Sequence, residues 1–291
     1  MTTNQTSSFV GRSAPVPVEP MAASGPDLGG STKTVTLTGW EGVPVPVEVQ
    51  EVGIPNGRPI VFLHGLVGLN DHWEELVKRI MHRSRCVMLE MPLLELEGED
   101  CSIHGATELA VRFLREYLQS QPSVLVGNSF GGHIAGRIAI ENPELVQGLV
   151  LAGASGILEK SMVSDIQIKP SRQWLERKIG ELFFDQRHMN PADVDRAHKV
   201  LTARGSARAM VRLSRTARRN HLGEDLCKVQ CPTLLVWGKQ DVVTPPEACE
   251  QFAANIPKNR VVWLDQCGHV PMVEKVEDFA RELNSYLDLV G

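Results

Sequence analysis

The feature that most constrains the fold is a five-residue stretch at residues 127–131, which reads Gly-Asn-Ser-Phe-Gly. A short apolar run at residues 123–126 precedes it and indicates a buried strand, whereas residues 132–140 follow it and indicate a helix. A strand, a G-x-S-x-G turn and a helix form a nucleophile elbow, in which a strained turn lifts the serine hydroxyl clear of the sheet. The helix also aims the positive end of its dipole at that hydroxyl. The alternative is an unrelated glycine-rich turn, so a nucleophilic Ser129 requires a base, an acid and an oxyanion hole elsewhere.

Most of the chain alternates apolar strand patterns with helical patterns, which predicts a parallel sheet covered by helices on both faces. Near the N-terminus, residues 33–37 and 43–52 show polar–apolar alternation or carry prolines, which favours two antiparallel edge strands. We therefore predict an α/β fold with a mostly parallel sheet of eight strands. The other strands are expected at residues 59–63, 86–89, 123–126, 149–153, 232–237 and 261–264, and the helices between them at 72–81, 103–118, 132–140, 247–255 and 276–287.

The strand pattern stops between residues 159 and 221. Only helical stretches occur there, such as residues 172–184 and 191–203. The segment is also basic, with 14 Lys and Arg against 7 Asp and Glu, whereas the whole chain has a formal net charge of -5. We predict a helical cap at residues 159–221, inserted between two parts of the core at residues 34–158 and 222–291.

The N-terminal 33 residues are rich in Thr, Ser, Pro, Gly and Ala, which predicts a disordered tail without the apolar region of a secretory signal. No apolar run is long enough to span a membrane, and the negative net charge argues against a nucleic-acid partner. The six cysteines are scattered and lack zinc-site spacing, which favours reduced thiols in a cytoplasmic protein without a bound metal. The oligomeric state stays open.

A serine hydroxyl is a poor nucleophile unless a base lies within hydrogen-bond reach and a third group orients that base. In the elbow architecture the order along the chain is Ser, then Asp or Glu, then His. Asp241 and His269 follow predicted strands in that order, at the sheet edge where open α/β folds place their sites. Asp241 could instead make only a local turn to Val243 and Thr244. The acid could also lie after another predicted strand, at residues 153–156. That stretch contains no Asp or Glu, which favours Asp241 as the acid.

An oxyanion hole needs two backbone N–H groups aimed at the developing negative charge. The residue after the nucleophile, Phe130, supplies one, and Leu66 in the loop after residues 59–63 is our choice for the other. His64 precedes the nucleophile and is interpreted as a loop-packing residue. His133 lies one turn into the elbow helix, where it either lines the cavity or packs.

These residues together resemble the α/β-hydrolase superfamily from about residue 34 to the C-terminus. The resemblance implies a serine triad that works without a metal or cofactor. The serine at residue 129 argues against the haloalkane dehalogenases and related epoxide hydrolases, which use an aspartate there. The motifs that carry the resemblance to the α/β-hydrolase superfamily are His64-Gly65-Leu66-Val67-Gly68, Gly127-Asn128-Ser129-Phe130-Gly131-Gly132, Trp237-Gly238-x-x-Asp241 and Cys267-Gly268-His269-Val270-Pro271-Met272-x-Glu274.

The elbow sequence is similar to that of the meta-cleavage carbon–carbon hydrolases, which split vinylogous 1,5-diketones. Two positions depart from that group. Val270 stands where those enzymes usually have Trp, and Arg196 is only a loose candidate for the Arg that their cap supplies. Val270, Arg196 and His133 are our candidate substrate contacts.

The leading hypothesis is a serine hydrolase that cleaves a small-molecule ester or related acyl bond with Ser129, His269 and Asp241. A carbon–carbon hydrolase with the same triad is the alternative, and a non-catalytic binding protein on the same fold is a third. If cap cations face the cavity, the substrate should be anionic; if they all lie on the outer face, they serve solubility or a partner surface. The candidate cations are Arg172, Arg177, Arg196, Arg208 and Arg212.

Overall fold

The computed structural model describes residues 28–40, 42–68, 70–159 and 170–290. Most of the predicted N-terminal tail, residues 1–27, lies outside the described residues. Residues 31–33, which were predicted to be part of the tail, belong instead to the first strand. They join it because they pair in register with residues 49–51 of the second strand.

One eight-stranded sheet forms the centre of the molecule, in the order β1-β2-β4-β3-β5-β6-β7-β8. As predicted, the first two strands are antiparallel to each other, and β2 is also antiparallel to β4; all other neighbouring strands are parallel. The predicted fold class is therefore confirmed. The strands are β1 Ser31–Thr38, β2 Pro44–Gly53, β3 Pro59–Leu63, β4 Arg85–Glu90, β5 Ser123–Asn128, β6 Val146–Ala152, β7 Thr233–Gly238 and β8 Asn259–Leu264.

The central strands are apolar on both faces because helices cover both sides of the sheet. In β3, β5 and β7 every residue is buried. One hydrophobic cluster contains Leu125 and Trp237, and the cluster on the other face contains Val126 and Val236. Successive side chains of a strand point to opposite faces, so this division follows directly from strand geometry.

The helices are α1 Asp71–Ile80, α2 Ile103–Arg112, α3 Phe130–Glu141, α4 Arg172–Gly180, α5 Pro191–Thr202, α6 Ser206–Arg219, α7 Pro246–Asn255, α8 Pro271–Glu274 and α9 Val276–Val290. A π-helical turn at Phe113–Tyr117 extends α2. Within the described ranges, no helix combines the length and the apolar composition that crossing a bilayer requires.

Between β6 and β7, the described residues 170–221 contain α4, α5 and α6 and no strand. The predicted helix at residues 172–184 is too long, because α4 ends at Gly180. The chain leaves the helix there, and the carbonyl of Leu182 accepts a hydrogen bond from the His269 N–H at 2.7 Å. That contact is long-range and therefore has no signature in the local pattern. The division into core and cap stays a prediction.

Candidate active site

Ser129 lies between the last residue of β5 and the first residue of α3. Its backbone has φ 52° and ψ -120°, a strained conformation for a residue with a side chain. The flanking glycines are needed for close approach. A Cβ at Gly127 would clash with the backbone of Gly131, and one at Gly131 would clash with the backbone of Leu63. The strand, the strained turn and the helix that the sequence predicted are therefore all present.

His269 follows β8 and is almost fully buried. Its Nδ1 lies 2.9 Å from Oδ2 of Asp241. If Nδ1 carries the proton that this hydrogen bond requires, Nε2 is left as a proton acceptor. The side-chain amide of Asn128 donates to the carbonyl of His269 at 3.0 Å and to that of Ala152 at 2.8 Å. The residue before Ser129 therefore ties the elbow to the loop that carries the histidine.

The carboxylate of Asp241 makes the local turn and holds the histidine at the same time. Oδ1 accepts the backbone N–H groups of Val243 at 2.8 Å and Thr244 at 3.0 Å. Oδ2 faces His269 and also lies 2.8 Å from the hydroxyl of Thr244. That hydroxyl is 3.0 Å from the carbonyl of Gly153, at the end of β6. The local turn is therefore present together with the contact to His269, and the role of Asp241 as catalytic acid stays a prediction. Thr244 is a partner of this carboxylate that the sequence did not predict.

The loop after β3 lies against the elbow. A Cβ added to Gly65 would be 3.4 Å from the Cβ of Ser129. His64 holds this loop, because its Nδ1 is 2.7 Å from the carbonyl of Gly65 and its Nε2 accepts the N–H of Met91 at 3.1 Å. Burial lowers the pKa of His64, which keeps the ring neutral and suits these two roles. The packing role expected for His64 agrees with this arrangement.

The predicted oxyanion-hole donors are the N–H groups of Leu66 and Phe130. Phe130 is the first residue of α3, so its N–H has no acceptor within the helix. Within the described residues, neither N–H donates to a protein acceptor. Both groups are therefore free to bind an oxyanion, and that role stays a prediction.

The three candidate substrate contacts already have protein surroundings. His133 is fully buried, with Nε2 3.1 Å from the carbonyl of Asn220, so it packs, and burial lowers its pKa to about 3. Val270 is buried in the cluster that also contains Phe183. Arg196 donates to Asp71 and to Asp193, each at 2.7 Å. These contacts do not support a substrate role, which stays a prediction for each residue.

The other cap arginines proposed for an anionic substrate are exposed. Arg172 pairs with Asp195 at 2.6 Å, and Arg212 lies 3.6 Å from Glu99. Arg177 and Arg208 are exposed in the same way. The described residues therefore favour the alternative in which these cations lie on the outer face.

A second residue that sequence reasoning missed is Glu274, in the last helix turn before α9. Its carboxylate is buried and accepts the N–H of Gly268 at 2.6 Å and that of Asp185 at 3.0 Å. The only available signal was its place in the motif around His269, which gives no indication of the partner in the cap region.

Comparison with known proteins gives three informative relatives. The chain is 26% identical to the monoacylglycerol lipase ABHD6 of Bos taurus, over 81% of this chain and 77% of that protein. It is 24% identical to the 2-hydroxy-6-oxo-6-(2'-aminophenyl)hexa-2,4-dienoic acid hydrolase of Metapseudomonas resinovorans, over 83% of this chain and 88% of that one. The solved structure of a membrane phospholipase A, described as a bacterial virulence factor, superposes with a TM-score of 0.77 at 22% identity, covering 90% and 87% of the two chains.

A family model described as the alpha/beta hydrolase family matches residues 60–282, which is most of the chain. The matched range begins in β3 and ends in α9, so it includes the elbow and both strand ends that carry Asp241 and His269. The chain therefore belongs to the alpha/beta hydrolase family.

Proposed function

We propose that this hydrolase cleaves an ester or related acyl bond through an acyl-enzyme on Ser129, with His269 as base and Asp241 as its orienting acid. The observation that carries the proposal is the buried 2.9 Å contact between His269 Nδ1 and Asp241 Oδ2, at the same sheet edge as the strained elbow. Burial protects this hydrogen bond from competition with water and fixes the ring. A serine on a strained turn and an oriented imidazole at the same sheet edge are the parts that serine acyl transfer requires.

In the first half-reaction, the Ser129 oxygen attacks the carbonyl carbon and its proton passes to Nε2 of His269. Asp241 keeps the ring oriented and stabilises the imidazolium that forms. The negative charge on the carbonyl oxygen is bound by the N–H groups of Leu66 and Phe130. The imidazolium then gives its proton to the leaving alcohol, and the acyl group stays on Ser129.

In the second half-reaction, water replaces the alcohol. His269 takes a proton from the water as it attacks the acyl-enzyme, and returns that proton to Ser129 as the carboxylic acid leaves. Residues 159–221 act as a cap that selects the substrate and excludes other water. No step requires a metal or cofactor.

The similarity to a monoacylglycerol lipase supports an ester as the substrate class. The similarity to the dienoic acid hydrolase keeps carbon–carbon cleavage as the second candidate. That reaction has less support, because Arg196, the cation considered for it, is held by two carboxylates, and Val270 stands where those hydrolases usually have Trp. Ester cleavage is therefore the first candidate.

The test uses a fluorophosphonate probe, followed by mass spectrometry of the labelled peptide. Labelling at Ser129 is the expected result, together with turnover of nitrophenyl esters. Turnover of a ring-fission dienoate in preference to every ester would select the carbon–carbon reaction. Protein that takes up no probe and turns over neither class would be a binding protein, and the proposal would be wrong.

A further inference from the structure

The loop that carries His269 touches a segment of the cap region at several points. This brace segment comprises residues 182–185 and follows α4. We propose that Glu274 is a positioning residue that ties the brace segment to the His269 loop, so that the base is aligned only when the brace segment is seated. This inference rests on the proposed function and adds a control point to it.

The hydrogen bonds of Glu274 link two parts of the chain that are far apart in sequence. One carboxylate oxygen accepts the N–H of Gly268, directly before His269, and the other accepts the N–H of Asp185 in the brace segment. A carboxylate can accept on both oxygens, whereas an amide of the same size presents an NH₂ group at one of the two positions. Substitution by Gln would therefore place a donor against a buried N–H, which costs free energy.

A second contact comes from the backbone of the same loop. The N–H of His269 donates to the carbonyl of Leu182 at 2.7 Å. Gly268 allows this approach, since a Cβ there would lie 2.5 Å from the carbonyl oxygen of Leu182 and 2.8 Å from the nitrogen of Phe184. The loop and the brace segment therefore fit together only without a side chain at residue 268.

The core holds the carbonyl and the ring of the same histidine. Asn128 donates to the carbonyl of His269, and Asp241 holds Nδ1 of the ring. The backbone N–H, the carbonyl and the ring of His269 are thus fixed by different elements, and only the N–H depends on the cap region. Release of the brace segment would leave the ring hydrogen bond to Asp241 but free one side of the loop.

A positioning role and a purely structural role of Glu274 should change different measured quantities. A displacement of the base by about 1 Å can lower a catalytic rate about 100-fold. Substrate binding depends on other groups, so the loss should fall on kcat and not on KM. A purely structural role for Glu274 would instead lower the melting temperature and the amount of active enzyme, without changing kcat per active site.

The first experiment compares Glu274→Gln with Glu277→Gln on a nitrophenyl ester. Glu277 is an exposed carboxylate on α9 that pairs with Arg79, and it serves as the matched control. We expect Glu274→Gln to lower kcat per fluorophosphonate-titrated site by about 10- to 100-fold, whereas the control stays within about twofold. An unchanged kcat in Glu274→Gln overturns the inference.

The second experiment repeats the substitution in a His269→Ala background. If Glu274 acts through His269, the substitution should have almost no further effect there, because the group that it positions is gone. Equal fold-losses in both backgrounds would mean that Glu274 acts independently of His269, and would overturn the inference. Wild-type turnover by His269→Ala itself would instead refute the proposed function, which keeps the two failures distinct.

The third experiment moves the brace segment without replacing the Glu274 side chain. Gly268→Ala inserts a Cβ that forces Leu182 and Phe184 away, and should reproduce the kcat loss. Gly180→Ala is the control, since its Cβ would meet only the end of the Gln186 side chain, at 3.2 Å. Amide exchange at residues 182–185 should rise in Gly268→Ala and in Glu274→Gln alike. Exchange that stays as slow as in the wild type in both variants overturns the inference, even if activity falls.

Discussion

The sheet edge that holds Ser129, Asp241 and His269 differs from residues 170–221, the described part of the predicted cap, in how its charged groups are held. Asp241 is 2% exposed and its carboxylate accepts hydrogen bonds from the backbone, a hydroxyl and the imidazole. In the cap region, the Arg172 side chain is 45% exposed and its partners lie at the surface. Exposed ion pairs contribute about 0–1 kcal/mol, whereas removing one partner of a buried polar pair costs more. Substitutions at the sheet edge should therefore have large effects, and substitutions of cap charges small ones.

The largest effect should come from Ser129→Ala. Loss of a triad nucleophile lowers turnover by about four to six orders of magnitude. The strained backbone at residue 129 stays as it is because Ala keeps the Cβ, so the melting temperature should change little. Ser155→Ala is the control, since this buried hydroxyl has no hydrogen-bond partner within the described residues. Comparable turnover by Ser129→Ala and Ser155→Ala would show that the elbow serine is not the nucleophile.

Asp241→Asn should come next. The amide NH₂ would face Nδ1 of His269 and favour the wrong tautomer, which costs about 10⁴-fold in kcat. The backbone bonds from Val243 and Thr244 can persist on the amide oxygen, so the fold should be kept. Asp265→Asn, an exposed acid beside Lys239, is the control. Steady-state kinetics of the two variants show whether Asp241 orients the histidine or only forms a turn. Equal activities of the two variants would mean that Asp241 only forms the turn.

The positions of Ser129, Asp241 and His269 could be predicted from the sequence because each follows an apolar strand. Parallel strands end at one edge of a sheet, so short-range patterns were sufficient to bring the three residues together. The loop after β3, which we predict to supply one oxyanion donor, followed from the same reasoning. None of these inferences required knowledge of a long-range side-chain contact.

The parts that the sequence did not predict depend on tertiary contacts. The helical pattern continues to residue 184, but the chain leaves the helix after Gly180, where Leu182 binds the His269 loop. Helix α6 was not identified, because its buried face consists largely of small residues such as Ala209 and Ala217. The partners of Glu274 include a residue that lies 89 positions away in sequence. Local pattern cannot specify such a pairing.

Thr244→Val tests how much of the Asp241 geometry depends on a side chain that the sequence analysis missed. Val keeps the shape and the backbone N–H, but removes the hydroxyl 2.8 Å from Oδ2. One lost hydrogen bond to a charged group is worth about 1.5–3 kcal/mol, so kcat/KM should fall by about 10- to 150-fold. Thr233→Val, a buried threonine at the start of β7, is the control. A Thr244→Val enzyme as active as the control would mean that backbone groups alone orient the acid.

The buried ring of His133 should make the stability of the protein depend on pH. Burial lowers its pKa from 6.5 to about 3, because the charged ring would be desolvated. Below pH 6.5 the unfolded chain binds a proton that the folded protein excludes, so stability falls as pH decreases from about 6.5 towards 3. At pH 5 the loss should be about 1–2 kcal/mol relative to pH 7. Urea unfolding of His133→Gln should show a smaller pH dependence than that of the wild type.

His82, which is exposed, provides the control for this experiment. His82→Gln should keep the full pH dependence, because the buried ring at residue 133 is still present in that variant. Part of the slope should also survive in His133→Gln, since burial lowers the pKa of His64 as well. A wild-type slope in His133→Gln would mean that the ring at residue 133 accepts a proton in the folded protein.

The smallest effects should come from the exposed cap arginines, Arg172, Arg177, Arg208 and Arg212. Single changes to Gln should alter the preference for an anionic over a matched neutral ester by less than about twofold, because exposed charges are screened within about 8 Å at physiological salt. Arg196 differs, since its side chain is only 21% exposed and its guanidinium joins Asp71 to Asp193. Arg196→Gln should leave two carboxylates without their cation and lower the melting temperature, again without a change in the ester preference. In any one of the five variants, a loss of about tenfold in kcat/KM that is confined to the anionic ester would mean that this cation faces the substrate. The contrast between the sheet edge and the predicted cap would then not hold at that residue.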